Sequence, residues 1–235
     1  MKTIFKRTQT NLLIASMAAG LGVHLSSQAQ TTDAGTLVIT GQITASTCTL
    51  NVTDVGTTST TGAPSTKNLA LGNLTPTAAG ATGTAGSLLT TSTKAVTVFS
   101  LSNAGNTGPC TTLGTGGAWD LALMVTSAQV STIGSTGFLK NGLTANATDA
   151  VVQMFGGVAA NPAAASAATA STALNLRGDA GYTGNFATGA ASIANFTAQA
   201  GSSIVVGAQW ARATANAAPS SGSFSQSIPL AVVYK

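Results

Sequence analysis

The chain has 235 residues, of which 44% are hydrophobic, 6% charged and 5% aromatic, with a formal net charge of +4. Its five acids are all aspartate (Asp33, Asp54, Asp120, Asp149 and Asp179), glutamate is absent, and the single histidine is His24. That inventory argues against most hydrolytic enzymes, metalloproteins and nucleic-acid binders, while the low charge and many β-branched residues still allow a packed core.

The first residues read as a leader rather than as fold. Lys2, Lys6 and Arg7 form a basic start, an apolar run follows over residues 12–25, and Ser27-Gln28-Ala29 supplies small residues for cleavage after Ala29. The run is shorter than the roughly 20 residues a spanning helix needs, so residues 1–29 are expected to be a secretory signal peptide. The mature chain then has six bases (Lys67, Lys94, Lys140, Arg177, Arg212 and Lys235) against five aspartates, a net charge of +1. No basic patch for nucleic acid survives.

After the leader, short β-rich runs separated by Gly, Asn, Pro and Ser/Thr clusters predict strands. They fall at residues 36–43, 68–74, 94–101, 119–130, 150–155, 193–198, 203–212 and 223–234. The Thr/Gly/Ser stretches at 57–66 and 75–93 read as loops. The Ala-rich stretch at 158–173, which contains Pro162, reads either as a short helix or as a surface insertion. No segment has sustained helical periodicity. The expected fold is an all-β sandwich in one domain.

Two cysteines in an exported chain, Cys48 and Cys110, predict one disulfide, with two structural free thiols as the alternative. With no histidine left they cannot make a closed zinc site. A Ser–His–Asp or Cys–His arrangement lacks its base. The aspartates sit in turn-like settings such as Thr53-Asp54-Val55-Gly56, where turn chemistry explains them. No enzyme, cofactor or metal site is therefore expected. The Asn-x-Thr triplets at Asn51, Asn73, Asn146 and Asn195 are expected by chance in so Thr-rich a chain. Trp119 and Trp210 read as packing residues rather than a sugar platform.

The two ends are the most informative. Along the C-terminal run, Phe224, Gln226, Ile228, Leu230, Val232 and Tyr234 alternate onto one face, the pattern of a half-buried strand. Pro229 lacks a backbone donor and predicts an edge strand or a bulge, and a long apolar edge needs a partner. Near the mature N-terminus, Leu37, Ile39, Gly41, Ile43 and Ala45 alternate in the same way. A glycine in that apolar row suits a filled groove. An unpaired edge and a free strand in one chain are what strand addition between subunits requires. An ordinary first and last strand of a closed sandwich would read similarly.

The run Gly35-Thr36-Leu37-Val38-Ile39-Thr40-Gly41-Gln42-Ile43, followed by Thr44-Ala45-Ser46-Thr47-Cys48, resembles the mature start of a type 1-like pilin of the chaperone–usher pathway. Phe99-Ser100-Leu101 ahead of Cys110, and Val152-Gln153-Met154, resemble further strands of that family. The tail is the most specific part: Gly222 is fourteenth from the end, an alternating strand follows, and Tyr234 is penultimate. The resemblance spans residues 30–235, strongest at both ends. It departs in the spacing from Leu101 to Cys110 and in the Ala-rich insertion.

The resemblance implies an incomplete immunoglobulin-like sandwich, completed by a donor strand from a neighbouring subunit. Residues 30–45 would be the donor-strand extension, with Leu37, Ile39, Gly41 and Ile43 as its groove-filling residues, and 46–235 the pilin domain. Phe224, Ile228, Leu230, Val232 and Tyr234 would border the groove, and Gly222 would belong to the chaperone-recognition pattern. The implied partners are identical or related pilin subunits, a periplasmic chaperone and an outer-membrane usher. A host or surface ligand would be met only through the assembled fibre, at the cell surface after export through the periplasm. The alternative is a self-contained secreted β-sandwich that binds a carbohydrate or other surface ligand.

Overall fold

The computed structural model describes residues 34–42, 48–54, 66–74, 80–89, 92–103, 108, 110, 117–176 and 192–234. The leader, Ile43, Asp33, Asp179 and most of the 57–66 stretch lie outside them. The described residues all belong to a unit spanning Asp33–Lys235.

They form twelve strands: β1 (Ala34–Gln42), β2 (Cys48–Asp54), β3 (Thr66–Asn73), β4 (Ala95–Asn103), β5 (Ala118–Met124), β6 (Val130–Ile133), β7 (Thr136–Leu139), β8 (Val151–Ala159), β9 (Thr172–Ala173), β10 (Ser192–Gln199), β11 (Ser203–Ala211) and β12 (Phe224–Tyr234). There is no α-helix among the described residues, only two short 3-10 turns. One sheet has the order β10-β5-β12-β1-β3, and the other has the order β2-β4-β11-β8-β7-β6 with β9 beside β8. The strand ladders are antiparallel except for that between β1 and β12. The all-β sandwich is thus as expected from the sequence.

One core joins the two sheets. Trp119, Leu121 and Leu123 of β5 meet Phe99 of β4, Met154 of β8 and Ile204, Val206 and Trp210 of β11, all within 2% of full burial. The Trp210 and Phe224 rings meet edge to face with centroids 5.4 Å apart, so both tryptophans are packing residues. Cys48 and Cys110 are disulfide-bonded, with Cα atoms 5.5 Å apart.

Several expectations are corrected. The run at 119–130 is not one strand: β5 ends at Met124, a 3-10 turn spans Ser127–Gln129, and β6 opens at Val130. Gln129 closes that turn by accepting from the Thr126 amide at 2.8 Å. The sequence reading missed β2, whose Leu50 and Val52 are buried beside a polar Asn51. Asn51 is buried as well, donating to Ser102 Oγ at 2.8 Å, which hides the strand from a hydrophobic count. Asp54 ends β2 and Asp120 lies buried inside β5, accepting from Thr197 Oγ1 at 2.6 Å, so neither occupies a turn.

Of the two expectations for the Ala-rich stretch, the surface insertion holds and the short helix does not, although the segment is tied down at both ends. Its first residues finish β8, a 3-10 turn at Pro162–Ala164 is capped by the Asn161 side chain, and the chain returns across the outer face of the second sheet. Ala170 is fully buried there with Val96, Phe155, Ala159 and Val205 in a second small core. Of two adjacent glycines, Gly157 makes room for this return and Gly156 for a ring of the opposite sheet. A Cβ on Gly156 would lie 1.8 Å from the Phe196 ring on one side, and a Cβ on Gly157 would lie 1.9 Å from the Thr169 carbonyl on the other. Lys94 Nζ ties the strap down, donating to the Ala170 carbonyl at 2.6 Å over the Phe155 ring.

Candidate functional site

The candidate site is the groove between β12 and β3, and what fills it. In a strand, alternate side chains take one face and alternate peptide groups point to opposite neighbours. On β12, Phe224, Ile228 and Leu230 are buried and the intervening Ser225, Ser227 and Pro229 are not, as the alternation predicts. Val232 is partly buried and packs on the same core. Tyr234 is in register with Trp119 of β5.

Residues 223, 225 and 227 aim their peptide groups away from β1, into loop side chains and amides. Ser223 accepts from Asn141 Nδ2 at 2.7 Å and from the Thr148 amide at 3.1 Å. The Ser225 amide donates to Asn141 Oδ1 at 3.2 Å, and its carbonyl accepts from the Gly142 amide at 2.9 Å. Gln129 Nε2 donates to the Ser227 carbonyl at 2.6 Å. The ladder to β5 begins only at Leu230. Along residues 224–229, β1 is therefore the one strand neighbour of β12 among the described residues, and it meets the peptide groups of Phe224, Gln226 and Ile228.

This phase settles the role of Pro229. It shares its parity with Ser225 and Ser227, and the register with β1 is unbroken from Phe224 to Ala231. The missing N–H therefore falls on the side away from β1 and just short of the β5 ladder. The edge-strand expectation is corrected: β12 is interior, and the proline is tolerated because no strand bond is lost.

Strand β1 fills the groove from the same chain. It runs parallel to β12, from Gly35 opposite Phe224 to Gln42 opposite Ala231, and antiparallel to β3. Leu37 is fully buried, between Gln226 on one side and Leu69 on the other. Ile39 is in register with Ile228. Gly35 is in register with Phe224 and Gly41 with Leu230, so β1 carries no side chain beside two of the bulkiest groove residues.

Gly222 has a local explanation. Its φ is +149°, and a Cβ would lie 2.5 Å from both the Ala147 carbonyl carbon and the Thr148 amide nitrogen. The backbone of 146–148 is held against it by the Ser223 amide donating to the Asn146 carbonyl at 2.7 Å. This close approach requires glycine whatever else recognises the segment.

No family model and no curated protein matches this chain.

Among the described residues no three His, Cys, Asp or Glu side chains converge as a metal site. Asp149, the exposed acid of the 141–149 loop, is spent on the Ser220 amide at 2.6 Å and the Ser220 hydroxyl at 3.0 Å. Of the residues the sequence singled out, the structure brings together Leu37, Ile39, Gly41, Phe224, Ile228, Leu230 and Val232 along two paired strands. It adds Asn141, Gln129 and Leu69, which sequence reasoning missed. Only their position in the fold marks them, since nothing in the local pattern distinguishes an asparagine that bonds a distant strand.

Proposed function

We propose that this chain is a structural subunit of an extracellular pilus or fimbria, polymerising by donor-strand exchange and supporting cell adhesion. The observation that supports the reading is the groove beside β12. Among the described residues its strand neighbour along residues 224–229 is an N-terminal strand, β1, in unbroken register with it. A strand held by main-chain bonds and a few side chains in register can be given to a second copy without loss of contacts. In this reading Leu37, Ile39, Gly41 and Ile43 are donated, and Phe224, Ile228, Leu230, Val232 and Tyr234 receive. A periplasmic chaperone fills the groove before assembly, reading the segment around Gly222, and an outer-membrane usher catalyses the exchange. No enzymatic step or cofactor enters.

A second reading is favoured by one observation: β1 closes the groove of its own chain. On that reading the protein is a self-contained secreted β-sandwich that binds a carbohydrate or other surface ligand.

Concentrated exported protein, followed by electron microscopy and by gel electrophoresis without boiling, separates the two. Fibres and a multimer ladder that vanish on deletion of residues 30–45 and shorten with excess synthetic peptide 30–45 support the pilus subunit. A strictly monomeric protein that ignores the peptide overturns it. The companion measurement is thermal unfolding of a chain starting at residue 46, with and without residues 30–45 appended by a linker at the C-terminus. The appended strand is expected to restore cooperative unfolding.

A further inference from the structure

We propose that Asn141 is a positioning residue for strand uptake: with Gly142 and Gln129 it clamps the far side of β12 and keeps residues 223–227 extended as the template for an incoming strand. The inference rests on the pilus-subunit reading.

An interior strand pairs on both sides, and an unpaired side leaves its peptide groups without partners. On the side away from β1, β12 has a strand only from Leu230 onward, where the β5 ladder begins. Ahead of that point side chains and a loop amide take the strand's place. The Asn141 carboxamide spans Ser223 and Ser225, donating through Nδ2 to the Ser223 carbonyl at 2.7 Å and accepting at Oδ1 from the Ser225 amide at 3.2 Å. The Gly142 amide donates to the Ser225 carbonyl at 2.9 Å. Gln129 Nε2 continues the row at the Ser227 carbonyl, 2.6 Å away. These groups supply the donors and the acceptor that a neighbouring strand would offer. Position 142 has to be glycine, since a Cβ there would lie 2.8 Å from the Ser225 carbonyl oxygen.

The clamp is built on the opposite sheet. Gln129 and Asn141 flank the β6–β7 hairpin, whose base is closed by the Lys140 amide donating to the Gln129 carbonyl at 2.7 Å. Leu139 of β7 is fully buried and pairs with Val152 of β8. Gln129 is oriented by its own turn, where Oε1 accepts from the Thr126 amide at 2.8 Å and the Thr126 hydroxyl at 3.0 Å. Asn141 is fixed by two further bonds, from Nδ2 to the Thr148 carbonyl at 3.1 Å and from the Leu143 amide to Oδ1 at 3.1 Å. Its amide thus donates twice and accepts twice, which is its full capacity. None of these bonds involves β1, so they persist when β1 leaves and hold the first half of β12 ready for a replacement. An aspartate of the same shape would set an acceptor against two carbonyl oxygens and open the clamp.

The test uses the full exported chain and fluorescein-labelled synthetic peptides, with binding read by anisotropy once the signal is constant. Three peptides are compared: residues 33–45, the same peptide with Leu37→Ala, and residues 33–40. Leu37 pairs with Gln226, inside the clamped span, whereas Gly41 pairs with Leu230, where β5 holds β12 instead. Wild type is expected to bind the parent peptide at least tenfold more tightly than either altered one. Asn141→Asp should bind the parent and Leu37→Ala peptides within twofold of each other, yet keep its preference over residues 33–40. Asp149→Asn, which alters the same loop at its contact with Ser220, should keep both preferences. If Asn141→Asp does not fold, Gln129→Ala is read in its place. A general loss of stability weakens all three peptides alike. Such uniform weakening, or full retention of the Leu37 preference, overturns the clamp but leaves strand exchange standing. A wild type that takes up none of the three peptides overturns both.

Discussion

Leu37→Ala tests whether β1 belongs to the sandwich. Leu37 has no exposed surface and sits in a cross-strand row between Leu69 and Gln226, joined to the main core. Truncating a leucine at such a site removes its transfer free energy and leaves a cavity, together about 2–5 kcal/mol. For a domain of this size each kcal/mol moves Tm by about 2–4 °C, so a loss of about 3 kcal/mol lowers Tm by about 6–12 °C. Urea unfolding at pH 7 and a thermal scan give the two numbers independently, with Leu143→Ala as the reference. Leu143 is 37% exposed, and its truncation should stay within about 0.5 kcal/mol of wild type. Should Leu37→Ala match Leu143→Ala, the side chain is not in the core and the groove argument fails.

Other outcomes follow from particular contacts. Gly222→Ala forces a Cβ to 2.5 Å from the backbone of residues 147 and 148, at positive φ. It should cost about 2–4 kcal/mol in urea unfolding of the isolated protein, with no chaperone present. Reducing the Cys48–Cys110 bond, which spans 62 residues, should lower stability by about 4 kcal/mol, read as a shift in urea midpoint with and without reductant. Gly157→Ala places a Cβ 1.9 Å from the Thr169 carbonyl, so the 160–170 strap should lift and its amides lose hydrogen-exchange protection ahead of the sheet. Burial of Lys94 lowers its pKa from the ordinary 10.5. Below the lowered value both folded and unfolded states are charged. As pH rises toward 10.5 the folded state sheds the proton first, so wild type should gain stability relative to Lys94→Met over that alkaline window, as urea midpoints taken from pH 7 upward would read.

The class of fold was legible from short β-rich runs, and the last strand from period-two alternation, a direct readout of one buried face. Residues 224–232 carry it plainly, whereas β4, β8 and β11 are buried along nearly their whole length and read as short apolar runs instead. The alternation failed where polar residues are buried and bonded, as at Asn51 with Ser102, because no hydrophobic signal records a satisfied amide. It failed again in the strap, where alanines suggest helix but Gly157 opens room for the returning chain at Thr169, a close approach that no local pattern records. Pro229 was read as the mark of an edge strand or a bulge, and the strand proved interior. Which side it spares depends on Asn141, Gly142 and Gln129, distant residues that local pattern does not reach. The pairing of β1 with β12 in one chain, and its parallel sense, likewise depend on distant residues.

The strap also divides the molecule by tolerance to change. Its ends are pinned, at Ala159 and Ala170 in the small second core and by Lys94 across the Ala170 carbonyl. Between those pins Asn161, Pro162, Ala163, Ala164, Ala167 and Ala168 are exposed. Pinned ends with a free middle are the conditions under which a surface segment accepts foreign sequence. In the fibre proposed above, that middle would be a display position, where one inserted epitope would be presented at every repeat while the groove on the other sheet is left untouched.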